Sequence, residues 1–326
     1  MTPIGISTVW LVFPILIGFL FHSRLLEQLG LGMARYRARS SLARSLADKM
    51  VAERELEQFD RSEWYLVKLN RLTTNSTREA FIQLHCDDET EQFIQESYEQ
   101  SDWILTQLWY NIAKSVLSWF YCQTDINGML NRGSMFVFSK EQIVKMTGLD
   151  SEEAGEGENM MLDLGAGDGR PTLSVSSFFS QTFVTEMSRP MQRLLEKKGF
   201  IVVGVENWVQ PGQFRLISAL NLLDRCDKPL SILQNIHTSL QPGGWLVIAL
   251  VLPFKPYVES VPSHQPAERL GITGETFEPQ VEAAVEVITA LGFSLHSWAR
   301  VPYLCEGDLT RPIYSLNNAL MVFRKA

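Results

Sequence analysis

The sequence is short of the residues on which several chemistries depend. Its four cysteines (Cys86, Cys122, Cys226, Cys305) form no CxxC pair, which excludes a disulfide scaffold. The five histidines are scattered, with no HExxH or similar spacing, so no metal site is expected. Basic charge is in deficit: 29 Lys and Arg face 37 Asp and Glu, a formal net charge of −8. A general nucleic-acid binder normally shows a basic face, so no nucleic-acid partner is expected, and an acidic enzyme suits a neutral or basic acceptor. No Gly-Lys-Ser/Thr follows a glycine-rich turn, which excludes a P-loop. Internal repeats and low-complexity tracts are also missing.

What is there begins with one long apolar run. Ile4 to Phe21 holds 18 residues without a charge, near the lower limit for spanning a bilayer. No Lys or Arg precedes it, so the basic start of a secretory signal is missing. Arg24, Arg35, Arg37, Arg39 and Arg44 follow it, and would hold the downstream side in the cytoplasm if the run stays as an anchor. The Asn75-Ser-Thr sequon points to the lumenal side instead. Residues 1–23 are therefore expected to act as a signal or membrane anchor of open sidedness. The expected compartment is the endoplasmic reticulum or another endomembrane, with the mitochondrion as the alternative.

Residues 24–86 read as a variable helical segment that opens with a charged helix over 24–60. Residues 87–150 read as a helical extension packed on the domain that follows, with helices at 87–99 and 101–121. Ser101 or Asp102 suits the cap of the second, whose apolar composition on nearly every side predicts burial. Ser139 with Gln142 fits a capping box. The acidic, glycine-rich stretch 148–159 connects to a domain at 151–326 in which strands and helices alternate. Strands are placed near 160–164, 182–186, 200–204, 214–219 and 245–252, with helices near 169–179, 188–198, 227–240 and 277–291. That order predicts a parallel α/β sheet with helices on both faces. Two strand-like runs without a helix between them then close the chain as an antiparallel hairpin.

The stretch "NMMLDLGAGDGR" (159–170) ends a strand in Asp163 and adds Gly165, Gly167 and Gly169. In an open α/β sheet ligands bind at the carboxyl ends of the strands. The spacing is G-x-G-x-G rather than the dinucleotide G-x-G-x-x-G, and the interposed Asp168 would repel a pyrophosphate but not a sulfonium or ammonium. Glu186, at the end of the second strand, can accept hydrogen bonds from both ribose hydroxyls. With the terminal hairpin, the arrangement resembles the seven-strand, Rossmann-like sheet of S-adenosylmethionine-dependent methyltransferases.

The loop after the fourth strand, "SALNLLDRCDKP" (218–229), is neither the motif of adenine amino methylation nor the Pro-Cys of cytosine C5 chemistry, so Cys226 is not an obvious nucleophile. The chain resembles the methyltransferase-like protein 9 family. The resemblance rests on "INGMLNRGSMFVFS" (126–139), "LDLGAGDG" (162–169), "NLLDRCDKPL" (221–230), "ALVLPFKPYVE" (249–259) and "RVPYLCEGD" (300–308), within roughly residues 90–326. It implies methylation of histidine at the pros nitrogen in proteins carrying His-x-His motifs. It also implies S-adenosyl-L-methionine as cofactor, held by Asp163, Gly165, Gly167, Glu186, Asn221 and Tyr303. The turn "GVENWV" departs from the family order of Asn before Glu. Asn207 or Glu206 would then meet adenine, with Trp208 available to cover the ring.

Neutral imidazole is a competent nucleophile near pH 7, so the enzyme must mainly position the acceptor and fix its tautomer. A carboxylate accepting from the tele N–H leaves the pros lone pair free. Asp224 is the candidate for that role, with Asn221 beside it. Asp227 reads instead as a helix N-cap, and Arg225 as a structural ion pair. Cys305 and Glu306 match the family without an evident chemical role. The alternatives are a small-molecule methyltransferase with the same cofactor site and a non-catalytic, membrane-tethered cofactor-binding module.

Overall fold

A computed structural model describes residues 41–149, 159–259 and 261–326. The apolar run at 4–21 and residues 150–158 of the acidic connection lie outside the described residues. Asp48–Ala326 forms one compact unit.

Before the sheet come helices α1 (Ser41–Gln58), α2 (Asn75–Glu79), α3 (Asp88–Asp102), α4 (Ile104–Leu117) and α5 (Gln123–Leu130). A two-residue strand β1 (Met135–Phe136) and helix α6 (Lys140–Thr147) follow. The expected capping box is present: the Ser139 hydroxyl accepts from Gln142 N at 3.0 Å, and Ser139 N donates to Gln142 Oε1 at 3.2 Å. Asp87 caps α3 by accepting from Thr90 N, and Ser139 also donates to Asp87, so the two helix starts are tied to each other.

The α/β portion runs β2 (Met160–Leu164), α7 (Arg170–Ser176), β3 (Gln181–Thr185), α8 (Arg189–Lys197), β4 (Ile201–Val203), β5 (Phe214–Leu220), α9 (Pro229–Ser239), β6 (Leu240–Val251), α10 (Phe277–Thr289), β7 (Phe293–Glu306) and β8 (Ile313–Lys325). The sheet order is β1-β7-β8-β6-β5-β2-β3-β4. Strands β2 to β6 pair in parallel, whereas β8 is antiparallel to both β6 and β7. The terminal hairpin is as expected, but the sheet has eight strands rather than seven. The eighth, β1, comes from the segment before the domain and pairs antiparallel with β7 through Met135–Cys305 and Phe136–Leu304. It covers backbone groups that β7 would otherwise present to solvent.

Residues Trp245 to Leu250 of β6 are all buried, as in a strand covered on both faces. One face packs on Trp64, Tyr65, Leu84, Phe93 and Phe138, so residues before the sheet share its core. The other face packs on α9 and α10.

Helix α4 departs most from expectation. It was expected to be buried, yet Gln107 is its only buried residue. Its cap is Trp103, without a side-chain bond; Ser101 and Asp102 belong to α3. The one buried side chain of α4 is polar. Gln107 Nε2 donates to Gln100 O, Gln107 Oε1 accepts from Arg132, and the Arg132 guanidinium lies 4.6 Å from the centre of the Tyr110 ring. Apolar content alone could not show which side faces the core.

Candidate active site

Two loops meet at the carboxyl ends of the parallel strands. The first follows β2, where Gly165, Gly167 and Gly169 have φ of +70°, +57° and +75°. A side chain there would be strained, and at Gly169 its Cβ would also lie 2.6 Å from Leu195. Asp163 is buried at 2% exposure beneath this turn and accepts from the hydroxyls of Thr172 (2.5 Å) and Ser218 (2.7 Å). Burial pushes its carboxyl up to about 6, with those two hydroxyls opposing the shift and the Glu186 charge adding to it. Asp168 is paired within the protein, accepting from Ser134 (2.9 Å) with Lys198 at 3.8 Å. The negative bias near the turn therefore comes from Asp163 and Glu186.

Glu186 follows β3 directly. Its Oε2 accepts from Gly167 N at 3.0 Å and its Oε1 from Ser188 N at 2.8 Å. Burial raises its pKa, against the opposing pull of those backbone donors. An ionised carboxylate offers about four lone-pair positions, so two remain for a ligand. On the next turn Glu206 and Asn207 are both exposed. Trp208, available in the sequence to cover adenine, is buried with Leu162 and Phe214.

The second loop follows β5. Asn221 has a φ of +54°, and both polar atoms of its amide are buried without a partner among the described residues. A strained, polar and unsatisfied residue at a strand end is the signature of a ligand contact. The two loops touch, since a Cβ on Gly165 would lie 3.0 Å from Leu222. Three residues past Asn221, Asp224 is 5% exposed; its Oδ1 has no partner among the described residues, and its Oδ2 lies 3.6 Å from Arg225 Nε. Burial raises the Asp224 pKa, with Arg225 opposing. The chain is held there by Tyr257 N, which donates to Asp224 O at 2.8 Å. Asp224 opens into a cleft of about 530 Å³, lined also by Phe59, Trp64, Lys255 and Arg300.

Asp227 is not the N-cap of α9. That position is Lys228, without a side-chain bond, while Asp227 accepts from Ala267 N at 2.8 Å and joins two loops. Burial pushes the Cys226 thiol up to about 12, which leaves it a poor nucleophile.

Tyr303, on β7, donates to the Met135 sulfur, and its hydroxyl is pushed far above its ordinary range by burial, with the Asp224 charge adding. It thus ties β7 to the 126–139 segment. Glu306, which had no evident role, pairs with Arg132 Nε at 2.8 Å and accepts from Gly133 N and Ser134 N. It clamps that segment over the glycine loop, where Met135 Cε would lie 3.2 Å from a Cβ on Gly167. Asn318 went unnoticed in the sequence. It is fully buried, opposite Val251 and Val301, and its amide has no partner among the described residues. The signal was an Asn-Asn pair inside an apolar strand.

A glycine turn with a carboxylate beneath it and an unsatisfied amide across from it is a cofactor site. The model of the DREV methyltransferase family matches residues 64–325. The chain belongs to that family. S-adenosyl-L-methionine is its cofactor, and the residues present fit it. Glu186 has free lone pairs for hydroxyls, and the Asn221 amide offers a donor and an acceptor to a zwitterionic aminoacyl group. Among solved structures the chain is similar to the CurJ carbon methyltransferase, with 13% identity, 73% of this chain and 71% of that one covered, and a TM-score of 0.43. It is similar as well to a putative sarcosine dimethylglycine methyltransferase from Galdieria sulphuraria, with 12% identity, 57% and 84% covered, and a TM-score of 0.39. A third is an S-adenosylmethionine-dependent methyltransferase from Mesorhizobium loti, with 15% identity, 57% and 100% covered, and a TM-score of 0.37.

Proposed function

We propose that this methyltransferase acts on proteins, methylating the pros nitrogen of histidine within His-x-His motifs. The observation that carries the reading is the Asp224 carboxylate, buried, with one oxygen lacking a partner, at the wall of an open cleft. A buried carboxylate left this way is costly and is best understood as waiting for a donor. A tele N–H supplies one, and its hydrogen bond fixes the tautomer whose pros lone pair is free.

The cofactor, when bound, supplies a methyl group on a sulfonium for in-line displacement. The chain's own part is to hold the acceptor and keep its proton on the far nitrogen. As the methyl arrives, the imidazole becomes a cation, and the ionised Asp224 steadies that charge. Within the cofactor site we assign Asp163 and the glycines to shaping the turn, Glu186 to the ribose, Asn207 to the adenine side and Asn221 to the aminoacyl group. Tyr303 closes over it. The exposed Lys255 side chain at the cleft suits a peptide with acceptor carbonyls. We assign the apolar run at residues 4–21 to membrane attachment.

The test is incubation with labelled S-adenosyl-L-methionine and a His-x-His peptide, followed by amino-acid analysis. Label in pros-methylhistidine, lost when the histidines become alanine, supports the reading. Label that goes only to small molecules, or nowhere despite cofactor binding, overturns it.

A further inference from the structure

Helix α4 carries an apolar stripe that nothing in the compact unit covers. Leu105, Trp109, Ile112 and Val116 follow one another at intervals of four, three and four residues, and are 71%, 61%, 60% and 60% exposed. That spacing places them on one side of the helix. Trp119 and Phe120 extend the stripe in the turn that follows, at 84% and 76% exposed, and Trp103 precedes it at 63%. From Trp103 to Cys122 there is no Asp or Glu, and Lys114 is the only Lys or Arg. An apolar patch of this size on a protein surface marks an interaction site.

We propose that this stripe is a second membrane contact, lying in the plane of a lipid surface with its tryptophans at headgroup level. Trp is the residue enriched at that level, and an amphipathic helix with an apolar outer face lies there rather than crossing. Among the described residues no helix is long and apolar enough to cross a membrane. Charge fits as well, because the stripe has no acidic group to repel an anionic headgroup.

The path of the chain points to the same occupant. Lys49 of α1 is buried and donates to Asp102 at 2.6 Å, the residue immediately before Trp103. Helix α1, which follows the uncharged run in sequence, is thus fastened at the base of the stripe. That run holds 18 residues without a charge, a length near what spans a bilayer. A bilayer accommodates both. On its inner side α4 bonds through Gln107 to Arg132, the partner of Glu306. The lipid contact is thereby rigidly joined to the segment that roofs the glycine loop.

The test uses the full chain with vesicles of phosphatidylcholine and a minor fraction of phosphatidylserine. In a Cys122→Ser background, an environment-sensitive fluorophore is attached at Ile112→Cys or, on the opposite side of α4, at Lys114→Cys. Lipid-borne spin labels are expected to quench the first several-fold more strongly than the second. Equal quenching overturns the proposal. So does a probe at 112 that is already in an apolar environment without vesicles: dependence on protein concentration would then mean a second copy, and independence would mean cover by the chain's own run. As a second measurement, a probe at Val116→Cys is expected to lose its quenching in the Trp109→Glu, Ile112→Glu variant. Peptide methylation by that variant in detergent solution stays at the parent level, showing an intact fold. Retained quenching in that variant also overturns the proposal.

Discussion

The two loops that meet at the carboxyl ends of β2 and β5 treat their polar groups in opposite ways. After β2 and β3, Asp163 and Glu186 are both buried, and each carboxylate accepts two hydrogen bonds from the protein. After β5, the Asn221 amide and one Asp224 oxygen are as deeply buried and have no partner among the described residues. On the first side each carboxylate is anchored to the protein before any ligand arrives, which fixes the shape of the glycine turn while Glu186 keeps lone pairs for a ligand. The second is left incomplete among the described residues, and under the proposed function the cofactor and the acceptor would make good that deficit. Unsatisfied polar groups in a native interior are few, and Asn221 and Asp224 bring such atoms together within a single loop.

Glu186→Ala tests whether the complete side still binds. Removing it takes away two backbone anchors as well as the proposed ribose contacts. Charge-assisted hydrogen bonds at such a site are together worth on the order of 3 kcal/mol or more. Cofactor binding should therefore disappear over the usable range of a calorimetric titration with S-adenosylhomocysteine. Unchanged affinity would show that the ribose lies elsewhere.

Asp224→Ala is the matching test on the incomplete side, and the comparison requires a different pattern. Turnover of a His-x-His peptide should fall on the order of 100-fold, as when one preorganised electrostatic contact is removed, while cofactor affinity is preserved. Folding stability should not fall, because the carboxylate lost is one that the fold leaves half unpaired. Asp224→Asn should keep the cleft and still lose rate, since a neutral amide steadies a developing cation poorly. Single-turnover methylation with a parallel melting curve checks both halves. Near-parental rates would leave Asp224 as a turn residue only.

The same contrast explains what was legible in the sequence. The glycine turn, Asp163 and Glu186 could be read because a tight turn and a strand-end carboxylate leave local marks in residue type and spacing. The terminal hairpin could be read from two runs without a helix between them. The pairing of β1 with β7 could not, since it joins residues about 170 positions apart through a backbone ladder that residue type does not mark. The same holds for the Arg132–Glu306 clamp, which gives meaning to a motif residue that had none. The placement of α4 could not be read, and the burial of Trp208 was no more legible, for one reason. Apolar composition says that a surface must be covered, but not by which neighbour, and here Trp208 is buried in the core while α4 keeps its stripe outside.

A smaller effect sharpens the comparison from the side of stability. Burial pushes the Asp163 carboxyl up from 3.8 to about 6, so the folded chain holds this proton more tightly than the unfolded one. The associated stabilisation is fully present below the unfolded value near 3.8, and is lost as pH rises through about 6. Between pH 5 and pH 7 the loss from this one group comes to roughly 1 kcal/mol. Glu186 and Asp224 are shifted in the same direction, so these three carboxyls together lower stability between pH 5 and pH 7, against the opposite contribution of His296, whose pKa burial lowers. Asp163→Asn isolates one contribution. The amide does not titrate, so the difference in stability between pH 5 and pH 7 should shrink by that amount while the slope from the other two remains. Chemical denaturation at the two pH values, on parent and variant, measures it. A variant with the parent's full pH dependence would mean that Asp163 is already ionised at pH 5 and that its two hydroxyl donors outweigh its burial.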